Sequence, residues 1–154
     1  MGIKNFTQDL FGYNQHTNNQ LIEAINSSPK QASAKLFALI SHILNSHAIW
    51  NSKLIPSVTI PAPWEIREAD TWLGVNNTNY KNSILILDKF NHKTPISYTL
   101  SSGNSFSNTV EEILFQVIIH STYHRGQVAT EMRQLGMQPL LTDWIVYKMP
   151  GGNL

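Results

Sequence analysis

Apolar residues recur at intervals of three and four along most of the chain, the period of a helix with one buried face. Phe6, Leu10, Tyr13, Leu21, Ile22 and Ile25 predict a first helix from about Ile3 to Ile25, which Asn26-Ser27-Ser28-Pro29 ends. Leu36, Leu39, Ile40, Ile43, His47, Trp50 and Leu54 form the clearest stripe and predict a second helix from about Ser33 to Ile55, before Pro56 and the Pro61-Ala62-Pro63 loop. After a loop centred on Trp64, a third helix is expected over Asp70 to Phe90. Asn76, Asn77 and Asn79 weaken its first half, and a core stripe is clear only from Ile84 to Phe90.

The period then changes. Pro95-Ile96-Ser97-Tyr98-Thr99-Leu100 alternates in steps of two, and Ser101-Ser102-Gly103-Asn104 carries turn chemistry, so a short hairpin or extended excursion is expected. A fourth helix of about 28 residues should start near Asn108 as N-cap, with Glu111 and Glu112 in its first turns, and end at Gly136. A short last segment, Asp143 to Lys148, follows Pro139, with Asp143 suited to cap it. The tail Pro150-Gly151-Gly152 should be loose. Four long amphipathic segments predict an all-α four-helix bundle.

Composition narrows the chemistry. With 154 residues, 42% of them hydrophobic and 10% aromatic, the chain suits a single folded domain over 1–154. No apolar run reaches the ~18–20 residues of a membrane span. Net charge is +1, with 11 basic residues scattered among 10 acidic ones, so no basic stripe for nucleic acid appears. The first ten residues lack a signal-type apolar core, which makes the cytoplasm the expected location. The absence of cysteine excludes disulfides, thiolate metal sites and cysteine nucleophiles, so any metal must be held by nitrogen and oxygen.

The six histidines then matter most. His120 and His124 are four residues apart in Ile119-His120-Ser121-Thr122-Tyr123-His124-Arg125-Gly126-Gln127, so both rings project from one face of the fourth helix. That arc also contains Ile113, Val117 and Leu135, which turns the rings towards the core side, where imidazoles without partners would be costly. Gln116, Gln127 and Glu131 share the arc and are candidates to orient them. A zincin would carry a Glu immediately after the first histidine, where this chain has Ser121. A third ligand should come from the second helix, from either His42 or His47; five residues apart, they cannot face the same ion. Periodicity slightly favours His47 as the buried one, beside Ile40, Ile43 and Trp50. His42 lies with Ala38, Asn45, Ser46 and Ile49, a face of mostly small residues with room for an ion and a substrate. His16 and His92 read as surface residues.

Four segments together resemble the DinB-like family of metal-binding bundles, DNA-damage-inducible proteins related to bacterial thiol transferases. They are Tyr13-Asn14; Ser41-His42-Ile43-Leu44 with Trp50; His120-Ser121-Thr122-Tyr123-His124-Arg125-Gly126-Gln127; and Leu135-Gly136 with Pro139 and Thr142-Asp143-Trp144-Ile145-Val146-Tyr147. The resemblance implies a four-helix bundle with a long crossover between helices two and three, and a divalent ion, zinc or nickel, held at one end of the bundle by His42, His120 and His124. His47 then becomes a core or pocket-edge residue. Many relatives carry an Asn before the first histidine of the fourth-helix pair and another His four residues before it; here those places hold Ile119 and Gln116.

The implied activity is that of a metal-dependent hydrolase or thiol-dependent transferase, because a divalent ion on three imidazoles can acidify water or a thiol. Its substrate would be a small molecule, with a low-molecular-weight thiol as one cosubstrate, and the chain would act as a homodimer. No general base stands out: Glu131, Tyr123 and Asp143 are candidates, but Tyr123 lies to one side of the histidine face and Asp143 suits the cap of the last helix. The alternative is a non-catalytic metal-binding stress-response protein.

Overall fold

The structure, a computed structural model, describes residues 2–56 and 60–150. It is mostly helical, with one small sheet. Helix α1 spans Ile3–Asn26 and α2 spans Ala34–Ser52, its N-terminus capped by Ser33, whose hydroxyl accepts from the Leu36 amide. The segment 53–71 crosses to α3, Trp72–Lys89, which is entered through one 3-10 turn at Ala69–Thr71. Strands β1, Pro95–Thr99, and β2, Ser105–Thr109, pair antiparallel with Ser97 opposite Ser107, and Gly103 takes a φ of 84° in the turn between them.

Helix α4, Val110–Gln134, follows β2 without a break. Its N-cap is Thr109, one residue after the expected Asn108. Thr109 and Glu112 exchange side-chain and backbone hydrogen bonds in a capping box, while Asn108 sits in β2 opposite Ile96 and its Oδ1 accepts from the Tyr98 hydroxyl. At the other end Gly136 adopts a φ of 71°, and the amides of Met137 and Gly136 reach back to the carbonyls of Met132 and Arg133. This closes the helix with a left-handed glycine, at the residue where the sequence expects it to end. The short α5, Trp144–Lys148, has Asp143 at its N-cap, but through the backbone carbonyl alone; the Asp143 carboxylate makes no capping bond. Of the expected loose tail, Gly151 and Gly152 lie outside the described residues.

The long helices pack in a ring, α1 on α3, α3 on α2, α2 on α4 and α4 on α1. Two apolar clusters fill it. One joins Leu21, Ile22 and Ile25 to Leu36, Ile40, Trp72, Val128 and Met132; the other joins Phe11 to Leu54, Ile86, Val110, Ile113 and Val117. Every long helix passes from one cluster to the other through buried polar residues: Asn14, Thr17 and Asn18 in α1, Asn45, Ser46, His47 and Asn51 in α2, Asn76, Asn79 and Ser83 in α3, Ser121 and Arg125 in α4.

Such a layer is tolerable only if its groups find partners. The Asn76 amide donates to Gln15 O and Asn19 Oδ1, that of Asn79 to Leu44 O, and that of Asn51 to Asn79 O. The asparagines that weaken helix propensity in α3 are therefore the residues that join it to α1 and α2.

Candidate metal centre

His42 lies mid-way along α2, and His120 and His124 lie one turn apart near the middle of α4, the helix packed against it, so the cluster sits part-way along the helices and not at the expected end. One ring nitrogen from each of the three comes within 4.8 Å of the other two. Ring centroids are 4.9 Å apart for His42 and His120, and 4.5 Å for each remaining pair. His42 and His124 are buried and His120 is half-buried.

Two of the rings are oriented by neighbours. His42 Nδ1–H donates to Pro63 O at 2.8 Å, and His124 Nδ1–H donates to Gln127 Oε1 at 2.8 Å. Each bond fixes the tautomer that leaves Nε2 with its lone pair. His120 makes no hydrogen bond among the described residues. Burial, then the neighbouring His124 and His42, push its pKa down to about 4; burial also lowers that of His42, against the opposing effect of Pro63 O. Both imidazoles are thus neutral near pH 7, the form that ligates. A donor set of three ring nitrogens, two of them on rings of fixed tautomer, fits a divalent transition-metal ion.

The crossover segment supplies the backing for His42. Asn45 Nδ2 donates to Ala62 O at 3.1 Å and Glu65 O at 2.8 Å, Arg67 N donates to Ser41 Oγ at 3.0 Å, and the Arg67 guanidinium bonds Asn45 Oδ1. These bonds strap residues 62–67 onto α2 and set Trp64 flat against the His42 ring, with centroids 3.7 Å apart and planes at 4°. No role for Trp64 follows from hydrophobic period. Its signal is the Pro61-Ala62-Pro63-Trp64 run, which stiffens a loop beside an aromatic residue.

The remaining candidates are placed elsewhere. His47 is buried outside the cluster, and its Nε2–H donates to Ser83 Oγ at 2.8 Å. His16 is exposed against Tyr147, and His92 is half-buried. Gln116 makes no hydrogen bond to His120 among the described residues; it lines a small cavity with Trp50, Tyr98 and Glu112. The Glu131 carboxylate is held by Lys35 at 2.8 Å and by the Ser33 hydroxyl at 2.8 Å, so it is not free to act as a base. Tyr123 is exposed, edge-on to His124 at 5.1 Å.

Arg125, next to His124, joins the other motifs. Its guanidinium is buried, donates to Asn14 Oδ1 at 2.5 Å, Asn18 Oδ1 at 3.0 Å and Thr122 Oγ1 at 2.9 Å, and lies 5.1 Å over the Tyr13 ring. Tyr13 in turn donates its hydroxyl to Thr142 O and packs edge-on against Trp144 and Tyr147. Segments far apart in sequence, Tyr13-Asn14, Arg125 and Thr142 to Tyr147, thus form one assembly that ties α4 to α1 and α5.

With this geometry established, comparisons place the chain. The model of a family described as the DinB family matches residues 1–151. A protein named Protein DinB, from Bacillus subtilis strain 168, is 26% identical over an alignment of length 164 that covers 94% of this chain and 95% of the relative. No solved structure matches the chain. No helix among the described residues is long and apolar enough to cross a membrane.

Proposed function

The chain belongs to the DinB family, and on that footing we propose that it binds a divalent metal ion, zinc or nickel, through His42, His120 and His124 between α2 and α4. The observation that carries this reading is the convergence of three ring nitrogens whose tautomers Pro63 and Gln127 help to fix. Held there, the ion would supply a Lewis-acidic centre able to lower the pKa of water or a thiol. The chain's own contribution is to keep His42 and His120 neutral, to orient His42 and His124, and to wall the site with Trp64.

The corresponding activity is that of a metal-dependent hydrolase or thiol-dependent transferase, cytoplasmic and homodimeric, acting on a small molecule. With no cysteine in the chain, a reacting thiol must arrive as a cosubstrate. Protein purified without a polyhistidine tag should carry about one divalent ion per chain by elemental analysis, and His120→Ala should lose it, as expected of a three-ligand site. Metal retained in that variant would refute the ligand assignment. Metal-loaded protein screened against thiol–electrophile pairs and simple amides tests for turnover.

A second reading, metal binding without catalysis, is favoured by one observation: the cluster contains no carboxylate, and the Glu131 carboxylate is already paired with Lys35. Silence across the screen by metal-loaded protein would support it.

A further inference from the structure

Trp64 is held more firmly than an exposed residue requires. The backbone on both sides of it is bonded to α2, through Pro63 O to His42 and through Glu65 O to Asn45, yet 55% of Trp64 remains exposed. Its ring stacks on His42 and stands edge-on to His124, with centroids 6.0 Å apart and planes at 86°. A large apolar ring, fixed from behind and open to solvent, is a preformed contact surface.

A cleft of about 360 Å³ opens beside it, lined by Lys35, Ala38, Leu39, Trp64, Gln127 and Thr130. Two of these residues, Trp64 and Gln127, are the direct neighbours of His42 and His124. Ala38 lies one turn before His42 on α2 and Lys35 about two, so the cleft runs roughly 10 Å along the helix from the histidines. That length admits one planar ring and a short connection. The only charged residue in the lining is Lys35, and its ammonium is already paired with Glu131 at 2.8 Å. An ionised group entering there meets no free opposite charge, whereas an apolar one meets Trp64, Ala38 and Leu39.

We propose that this cleft is the substrate subsite of the metal centre, and that it selects an uncharged planar group, aromatic or conjugated, which lies against Trp64 while a short polar head reaches the three histidines. The proposal rests on the metal reading above and adds the class of substrate to it.

Two metal-chelating probes that differ by one ring test it. The full chain is loaded with cobalt(II), and acetohydroxamic and benzohydroxamic acids are titrated separately while the cobalt d–d absorption is followed. Benzohydroxamic acid should bind about tenfold more tightly, as expected for a ring removed from water and stacked on an aromatic face. That ratio should fall to about twofold or less in Trp64→Ala and stay above about fivefold in Trp64→Phe, which keeps an aromatic surface. Equal affinities in the unaltered protein, or a preference that survives in Trp64→Ala, would overturn the subsite while leaving the metal site intact. A chain that takes up no cobalt would overturn the metal reading and the subsite with it.

Discussion

His47 gives the most quantitative prediction, because its environment excludes a second proton. Its Nε2–H donates to Ser83 Oγ at 2.8 Å, and Ser83 donates onward to Asn51 Oδ1 at 3.0 Å. Its Nδ1 is buried with no partner, so an added proton would find no acceptor. Burial pushes the pKa down to about 3. The folded value lies below the ~6.5 of an unfolded histidine, so between the two the unfolded chain binds a proton that the folded chain refuses. The contribution is therefore complete above pH 6.5 and is lost as the pH falls towards 3. The slope is about 1.4 kcal/mol per pH unit, which amounts to roughly 3 kcal/mol at pH 4.5. Against a typical total of ~5–15 kcal/mol, that is a large loss.

The assay is urea unfolding followed by circular dichroism at several pH values from 7 to 4.5, with a chelator present, for the unaltered chain and His47→Gln. Glutamine retains a donor for Ser83 and does not titrate. His42 and His120 are common to both chains, so their protonation largely cancels in the difference. Between pH 7 and 4.5 the variant should lose about 3 kcal/mol less stability than the unaltered chain. Parallel loss in the two chains would refute the reasoning.

Other expectations follow from single contacts. Arg125→Met should cost about 2–4 kcal/mol in urea unfolding, because it leaves the buried Asn14 and Asn18 oxygens without a donor. Gln127→Leu removes the acceptor that orients His124; zinc affinity in a chelator competition should fall about 10–100-fold with the helical content unchanged. Gly136→Ala forces a side chain into the left-handed region at a φ of 71°, and should cost about 1–2 kcal/mol, seen as a lower Tm.

Much of the fold is written in local pattern. The apolar period marks α1 and α2 closely, and the switch to a period of two marks the hairpin. Where pattern failed to carry the structure, the cause is the buried polar layer. Asn76 and Asn79 look like helix-weakening residues, but they are buried and satisfied by α1 and α2, partners a linear reading does not see. The same layer explains the two histidines of α2. Periodicity slightly favours His47 as the buried one, and it is buried, but against Ser83 rather than beside His120 and His124. His42 joins the cluster from the small-residue face, a position that the family motif implied and helical periodicity left open. Trp64 owes its place to backbone carbonyls of a crossover segment, which no side-chain pattern encodes.

The central claim is that His42, and not His47, completes a metal site with His120 and His124. X-ray absorption at the zinc edge of the metal-loaded protein tests it most directly, because the outer-shell scattering counts imidazoles. The account predicts three imidazole nitrogens at ~2.0–2.1 Å in the unaltered chain and in His47→Gln, and, as for His120→Ala, no zinc retained in His42→Ala. Zinc retained in His42→Ala, or an imidazole lost in His47→Gln, would contradict it.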